Sequence, residues 1–131
     1  MDVQPKRPTT KGPSEWFTGD VWIDSIVQAE GGSTLNIGHV HFSPGARTAW
    51  HSHDGGQTLY VIEGRGRVQS RGEPIFELRP GDVHHTPHAH EHWHGAAHDH
   101  LMSHISITQG PPAWGDHVTD AEYRADGDSD Q

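Results

Sequence analysis

Glycine and proline punctuate this chain so densely that long helices have no room to form. The 131 residues include 16 Gly and 9 Pro, residues that either break helical hydrogen bonding or raise the entropy lost on ordering. Between the breaks lie short stretches of alternating apolar and polar residues: VWIDSIV (21–27), STLNIGHVHF (33–42), TAWHSH (48–53), QTLYVIEG (57–64), GRVQS (66–70) and PIFEL (74–78), followed by DVHHT, HEHWH and LMSHISIT. No window of helical length repeats at the helical period. Alternation of period two, closed by turn residues about every 8–12 positions, predicts an all-β fold in which antiparallel strands make a sandwich or barrel.

The two ends read differently. Residues 1–12 carry two prolines and three Lys/Arg without an apolar pattern, the signature of a flexible arm. Residues 116–131 hold six acids and one Arg and read as a solvated acidic segment. Within it, Thr119 and Glu122 have capping-box spacing, which predicts one short helix. The chain has 9 Lys+Arg against 18 Asp+Glu, a formal charge of −9, so nucleic acid and anionic membranes are not expected partners. With no cysteine, disulfides, thiolate metal sites and thiol catalysis are excluded. No apolar run is long enough to span a bilayer, and the first residues lack a signal-peptide core, so a cytoplasmic protein is expected.

Chemistry must come from the 14 histidines. His51 and His53 are two apart in a strand-like stretch and therefore share a face, where both imidazoles can reach one metal ion. They sit in a regular frame: Gly45, five residues, His51, one, His53, three, Gln57, six, Gly64. A second frame runs Gly81, five residues, Pro87, four, His92.

These frames resemble the two sequence motifs of the cupin superfamily. The likeness extends from about Trp16 to Tyr123 and implies a single jelly-roll domain over 13–115. It also implies a metal site of His51, His53, Gln57 and His92. The segments KGPSEWFTGDVWID, PGARTAWHSH, GQTLYVIEG, RPGDV, HWHGAA, MSHI and VTDAEY are similar to small bacterial cupins that include manganese-dependent hydroxynitrile lyases. Three positions depart from the usual motif: Gln57 replaces Glu, Ala89 replaces Gly and Ala96 replaces Asn. A neutral Gln leaves a divalent ion uncompensated and so more strongly Lewis acidic.

That resemblance makes His104 the proton carrier and places Gly38 and Val40 on the pocket face, with Thr108 beside the same strand face as His104. His94, two residues beyond His92, is expected to support the pocket. Alternation then turns His39 and His41 to the opposite face, without a function. His84, His85, His88, His90, His98 and His100 read as a solvated loop, with a cavity rim or surface binding of zinc, nickel or copper as alternatives, and the five Trp as core rather than cavity wall. One divalent ion per chain is implied, manganese first, with iron, zinc or nickel as alternatives. Its affinity is expected to fall as pH drops through about 6, where free imidazole protonates. The implied activity is carbon–carbon bond cleavage on a small carbonyl or cyanohydrin substrate by a homodimer. The alternatives are an iron dioxygenase, a zinc-dependent polyketide cyclase, or a non-enzymatic metal or ligand binder.

Overall fold

The computed structural model describes residues 2–129, with side chains described through residue 125; Met1, Asp130 and Gln131, the ends of the two terminal segments, lie outside the described residues. The strands run β1 (Thr10–Lys11), β2 (Phe17–Thr18), β3 (Val21–Val27), β4 (Leu35–Phe42), β5 (Arg47–Thr48), β6 (His51–His53) and β7 (Gln57–Gly64). They continue as β8 (Gly66–Ser70), β9 (Phe76–Leu78), β10 (Val83–Thr86), β11 (His92–Ala96), β12 (Met102–Gln109) and β13 (Pro112–Trp114), and α1 (Asp120–Ser129) closes the chain.

Two antiparallel sheets face one another as a jelly roll. The first has the order β1-β3-β4-β12-β7-β10; the second joins β13-β6-β11-β5-β2, with β8 pairing β11 and β9 pairing β8. Alternation works as the sequence implies. Along β7, Gln57, Leu59 and Val61 are buried while Tyr60 and Ile62 are exposed. Phe17, Val21, Phe42, Val61, Val68 and Met102 form the main core between the sheets.

β11 is buried at every residue, because both of its faces are covered. Its inner face looks into the roll, and its outer face carries Trp93, which packs with Trp50, Val118 and Tyr123. The beginning of the acidic segment therefore supplies a second small core. α1 starts on a complete capping box: the Thr119 N–H donates to Glu122 Oε1 at 2.9 Å, and the Glu122 N–H donates to Thr119 Oγ1 at 3.1 Å. Gly95 permits the tight backbone packing beside Trp93, since a Cβ there would stand 2.4 Å from the Ala46 carbonyl oxygen. At the other end, Thr10–Lys11 pair with β3, and the Lys6 ammonium lies 3.0 Å from Asp24. Trp22 is exposed, whereas Trp16 and Trp114 stack against each other and pack on the main core.

Candidate metal centre

Strand register sets two imidazoles side by side. His51 on β6 is the direct cross-strand partner of His92 on β11, and their ring centroids lie 4.3 Å apart. His53 follows on the same face of β6, its ring 5.1 Å from that of His51. Gln57 opens β7 in the opposite sheet, reached through the turn Asp54-Gly55-Gly56. Gly56 has φ +84°, and a Cβ on it would come within 2.9 Å of the Thr86 carbonyl oxygen. Only glycine makes the reversal that returns Gln57 to the histidines.

Their hydrogen bonds fix where the protons are. His51 Nδ1–H donates to the Ala49 carbonyl at 2.9 Å, and His92 Nδ1–H donates to the His90 carbonyl at 3.1 Å. Each neutral ring therefore presents an Nε2 lone pair to the interior. Gln57 Nε2 donates to Ser106 Oγ at 2.8 Å, which leaves its Oε1 facing the rings, 3.3 Å from His51 Nε2 and 2.6 Å from His92 Nε2. Three acceptors thus converge with no proton between them. A cation relieves that repulsion, so the residues fit a metal ion. Both ring nitrogens of His53 are also buried without a hydrogen-bond partner, so a cation would satisfy one of them.

His94 lies closer to this centre than a supporting role requires. One ligand atom from each of His51, His92 and His94 falls within 4.8 Å of the other two. Its Nδ1 meets His104 Nε2 at 3.0 Å, while His94 Nε2 and His104 Nδ1 are buried without partners. The pair has two tautomeric forms. When His94 donates to His104, His94 Nε2 carries a lone pair and can ligate. When His104 donates to His94, the lone pair moves to His104 Nδ1, which becomes a base. His104 pairs with Val61 and Ser103 with Glu63, so β7 opposite them carries a β-bulge in which Ile62 is the extra residue.

Burial sets the electrostatics. Removal from water, reinforced by neighbouring imidazoles, pushes His53 down to about 4. Desolvation likewise lowers His104 to about 3, His94 well below its ordinary range, His92 strongly, and His51 in the same direction. All five rings are neutral ligands or bases at neutral pH. The window for competition between metal and proton therefore lies below the pH 6 expected for free imidazole.

A cavity of about 140 Å³ opens on these groups, bounded by His51, His53, Gln57, His94 and His104 together with Val40. Gly38 and Thr108 share the strand faces of Val40 and His104, and Thr108 is buried as the direct partner of Gln57, but neither lines the cavity. Ser106, Phe17, Thr48 and Trp114 do line it. Of these, Ser106 has a signal in the sequence, its alternation with His104; the others require the folded chain. Trp114 lies against His51 with ring centroids 4.8 Å apart. Among the described residues no carboxylate lines the cavity. His39 and His41 are turned to the outside of the first sheet, and His85, His88, His90, His98 and His100 are exposed, with His84 half-buried.

Among the described residues no helix is long and apolar enough to cross a membrane. Residues 38–108 match the family model described as the cupin domain. The chain is 45% identical over 118 residues to an (R)-mandelonitrile lyase of Granulicella tundricola, covering 87% of this chain and 90% of the relative. Among solved structures, a cupin-like protein of Thermotoga maritima superposes with a TM-score of 0.87 at 44% identity, covering 96% of this chain and 97% of that one. A predicted oxalate decarboxylase from the same organism shares the fold, with a TM-score of 0.70 at 16% identity over 79% of this chain and 92% of the other. Family model, relative and superposition point the same way: the chain belongs to the cupin family.

Proposed function

We propose that this cupin is a metal-dependent carbon–carbon lyase of the hydroxynitrile lyase type, cleaving a small cyanohydrin to a carbonyl compound and cyanide. The observation that carries the reading is a cavity lined by neutral imidazoles and the Gln57 amide, with a hydrogen-bonded His94–His104 pair whose outer nitrogens have no partner, in a chain 45% identical to an (R)-mandelonitrile lyase. His51, His53, Gln57 and His92 would hold the ion, with His94 within reach of the same point. Manganese is the ion proposed. A divalent ion bound there would supply Lewis-acid polarisation of a substrate oxygen, with no carboxylate among the described lining residues to share its charge.

The protein's own groups supply the rest. Burial keeps His104 neutral, so its Nδ1 accepts the substrate hydroxyl proton when Nε2–H donates to His94. The C–CN bond then breaks, its electron pair leaves with cyanide, and the proton held on His104 goes to cyanide. Val40 and Trp114 exclude water from the reacting group and offer apolar contact to its substituent. The size suits a compact molecule, since a dry cavity of about 150 Å³ accommodates benzene. Mandelonitrile, with one ring, is accordingly the substrate to test. Manganese-loaded protein is expected to release benzaldehyde and cyanide above the rate of free manganese. His104→Ala is expected to lower that rate by roughly 10²–10⁴ with metal content unchanged. Release no faster than free metal, or oxygen uptake by iron-loaded protein in its place, overturns the reading.

We also propose that the protein acts as a cytoplasmic homodimer. Tyr60, Ile62 and Val83 are exposed at the β7–β10 end of the first sheet, where β10 is an uncovered edge that a second copy can protect. A monomer mass by light scattering at micromolar concentration refutes it.

A further inference from the structure

The outer face of the first sheet carries a second group of metal-ligating side chains that the cavity does not use. Asp24 on β3 is the direct cross-strand partner of His39 on β4, and His41 follows two residues later on the same face. The rings of His39 and His41 lie 4.1 Å apart, and His41 Nε2 is 3.0 Å from Asp24 Oδ2. One ligand atom of each residue lies within 4.8 Å of the other two, and all three residues are half-buried. The alternation that removes His39 and His41 from the cavity thus brings them together with a carboxylate contributed by the neighbouring strand.

We propose that Asp24, His39 and His41 form a second site, binding one divalent ion of the zinc, copper or nickel class independently of the cavity. Two imidazoles and one carboxylate are the ligand set such ions prefer over magnesium or calcium. Ligands about 2.0 Å from a tetrahedral zinc stand roughly 3.3 Å apart, close to the His41–Asp24 separation already present. His39 must exchange its hydrogen bond with Ser103 Oγ, at 3.1 Å, for the ion, a movement of one side chain on a fixed strand. Hydrogen bonds from Thr9 and Lys6 hold the Asp24 carboxyl well below the usual carboxylate range, so it is ionised, and burial keeps His39 neutral.

Lys6 is the competitor. Its ammonium lies 3.0 Å from Asp24 Oδ1, so the ion and the N-terminal segment draw on one carboxylate. Binding of the ion should loosen Lys6, and removal of the Lys6 charge should tighten the site.

The experiment is a zinc count on untagged full-length protein equilibrated with buffered micromolar free Zn²⁺ and then analysed for bound metal. The wild type should hold two zinc ions per chain. The His39→Gln/His41→Gln double variant and the isosteric Asp24→Asn, whose changes lie on a half-buried outer face, should each hold one. Lys6→Gln should bind the second ion about three- to tenfold more tightly, the effect of one nearby positive charge at high dielectric. A single ion in the wild type that both variants lose keeps the proposal and counts against the cavity site instead; a single ion that both variants retain overturns it. So does a second ion that survives in both variants, which assigns it to the exposed histidines between residues 84 and 100, and so does a second-ion affinity unchanged in Lys6→Gln.

Discussion

Four buried histidines, His53, His92, His94 and His104, should make the metal-free protein unusually sensitive to mild acid. In the unfolded chain each titrates near 6.5; in the folded protein burial pushes His53 down to about 4 and His104 to about 3, and holds His92 and His94 well below their ordinary value. Between those limits the unfolded state binds protons that the folded state refuses, so stability falls as pH falls. Each group is fully neutral in both states above about pH 7.5 and contributes no pH dependence there. From pH 7.5 to 5.5 protonation of the unfolded chain costs somewhat over about 1 kcal/mol for each of His53, His92 and His104, roughly 4 kcal/mol together, and His94 adds in the same direction. His51 shifts in the same direction and adds to the loss. Against a typical total of about 5–15 kcal/mol, that brings the folded state close to its limit near pH 5.5. The assay is urea unfolding followed by tryptophan fluorescence, with chelator present, at several pH values across this range. His53→Gln should reduce the slope by about one proton. A loss below about 2 kcal/mol, or stability that rises on acidification, refutes the assignment of these rings as neutral and buried.

Ser106→Ala removes the hydroxyl that orients the Gln57 amide; metal affinity should weaken about 10–100-fold, read by competition with a chromogenic chelator. Ala89 is the described non-glycine residue with positive φ, at 58°, a conformation costing an L-residue about 1–2 kcal/mol. Ala89→Gly should therefore raise stability by about 0.5–1 kcal/mol after the entropy of glycine is subtracted, measured by urea midpoint at pH 7.5. Thr119→Ala breaks the capping box that anchors α1 over Trp50 and Trp93; a loss of about 1 kcal/mol is expected, and an unchanged midpoint would show that the helix does not contribute to the fold.

Local pattern determined most of the architecture. Period-two alternation between glycine and proline turns dictates strands and their inward faces, because successive side chains on a strand must point to opposite sides. The same rule makes His51 and His53 neighbours and sends His39 and His41 outward, while the spacing of Thr119 and Glu122 specifies the helix start. The two histidine-bearing frames carry the likeness to cupins and with it Gln57 and His92. What the alternation rule cannot supply is distance across the roll, which depends on sheet curvature, on the bulge at Ile62 in β7 and on the register between strands remote in sequence. Only the folded chain brings His94 to 3.0 Å from His104, aims Ser106 at the Gln57 amide and leaves Gly38 and Thr108 outside the cavity. Only burial moves the histidines away from the behaviour of free imidazole, since desolvation depends on everything packed around a ring. Asp24 joins His39 and His41 for the same reason: a strand's own sequence fixes which way a side chain points, and tertiary pairing decides what it meets there.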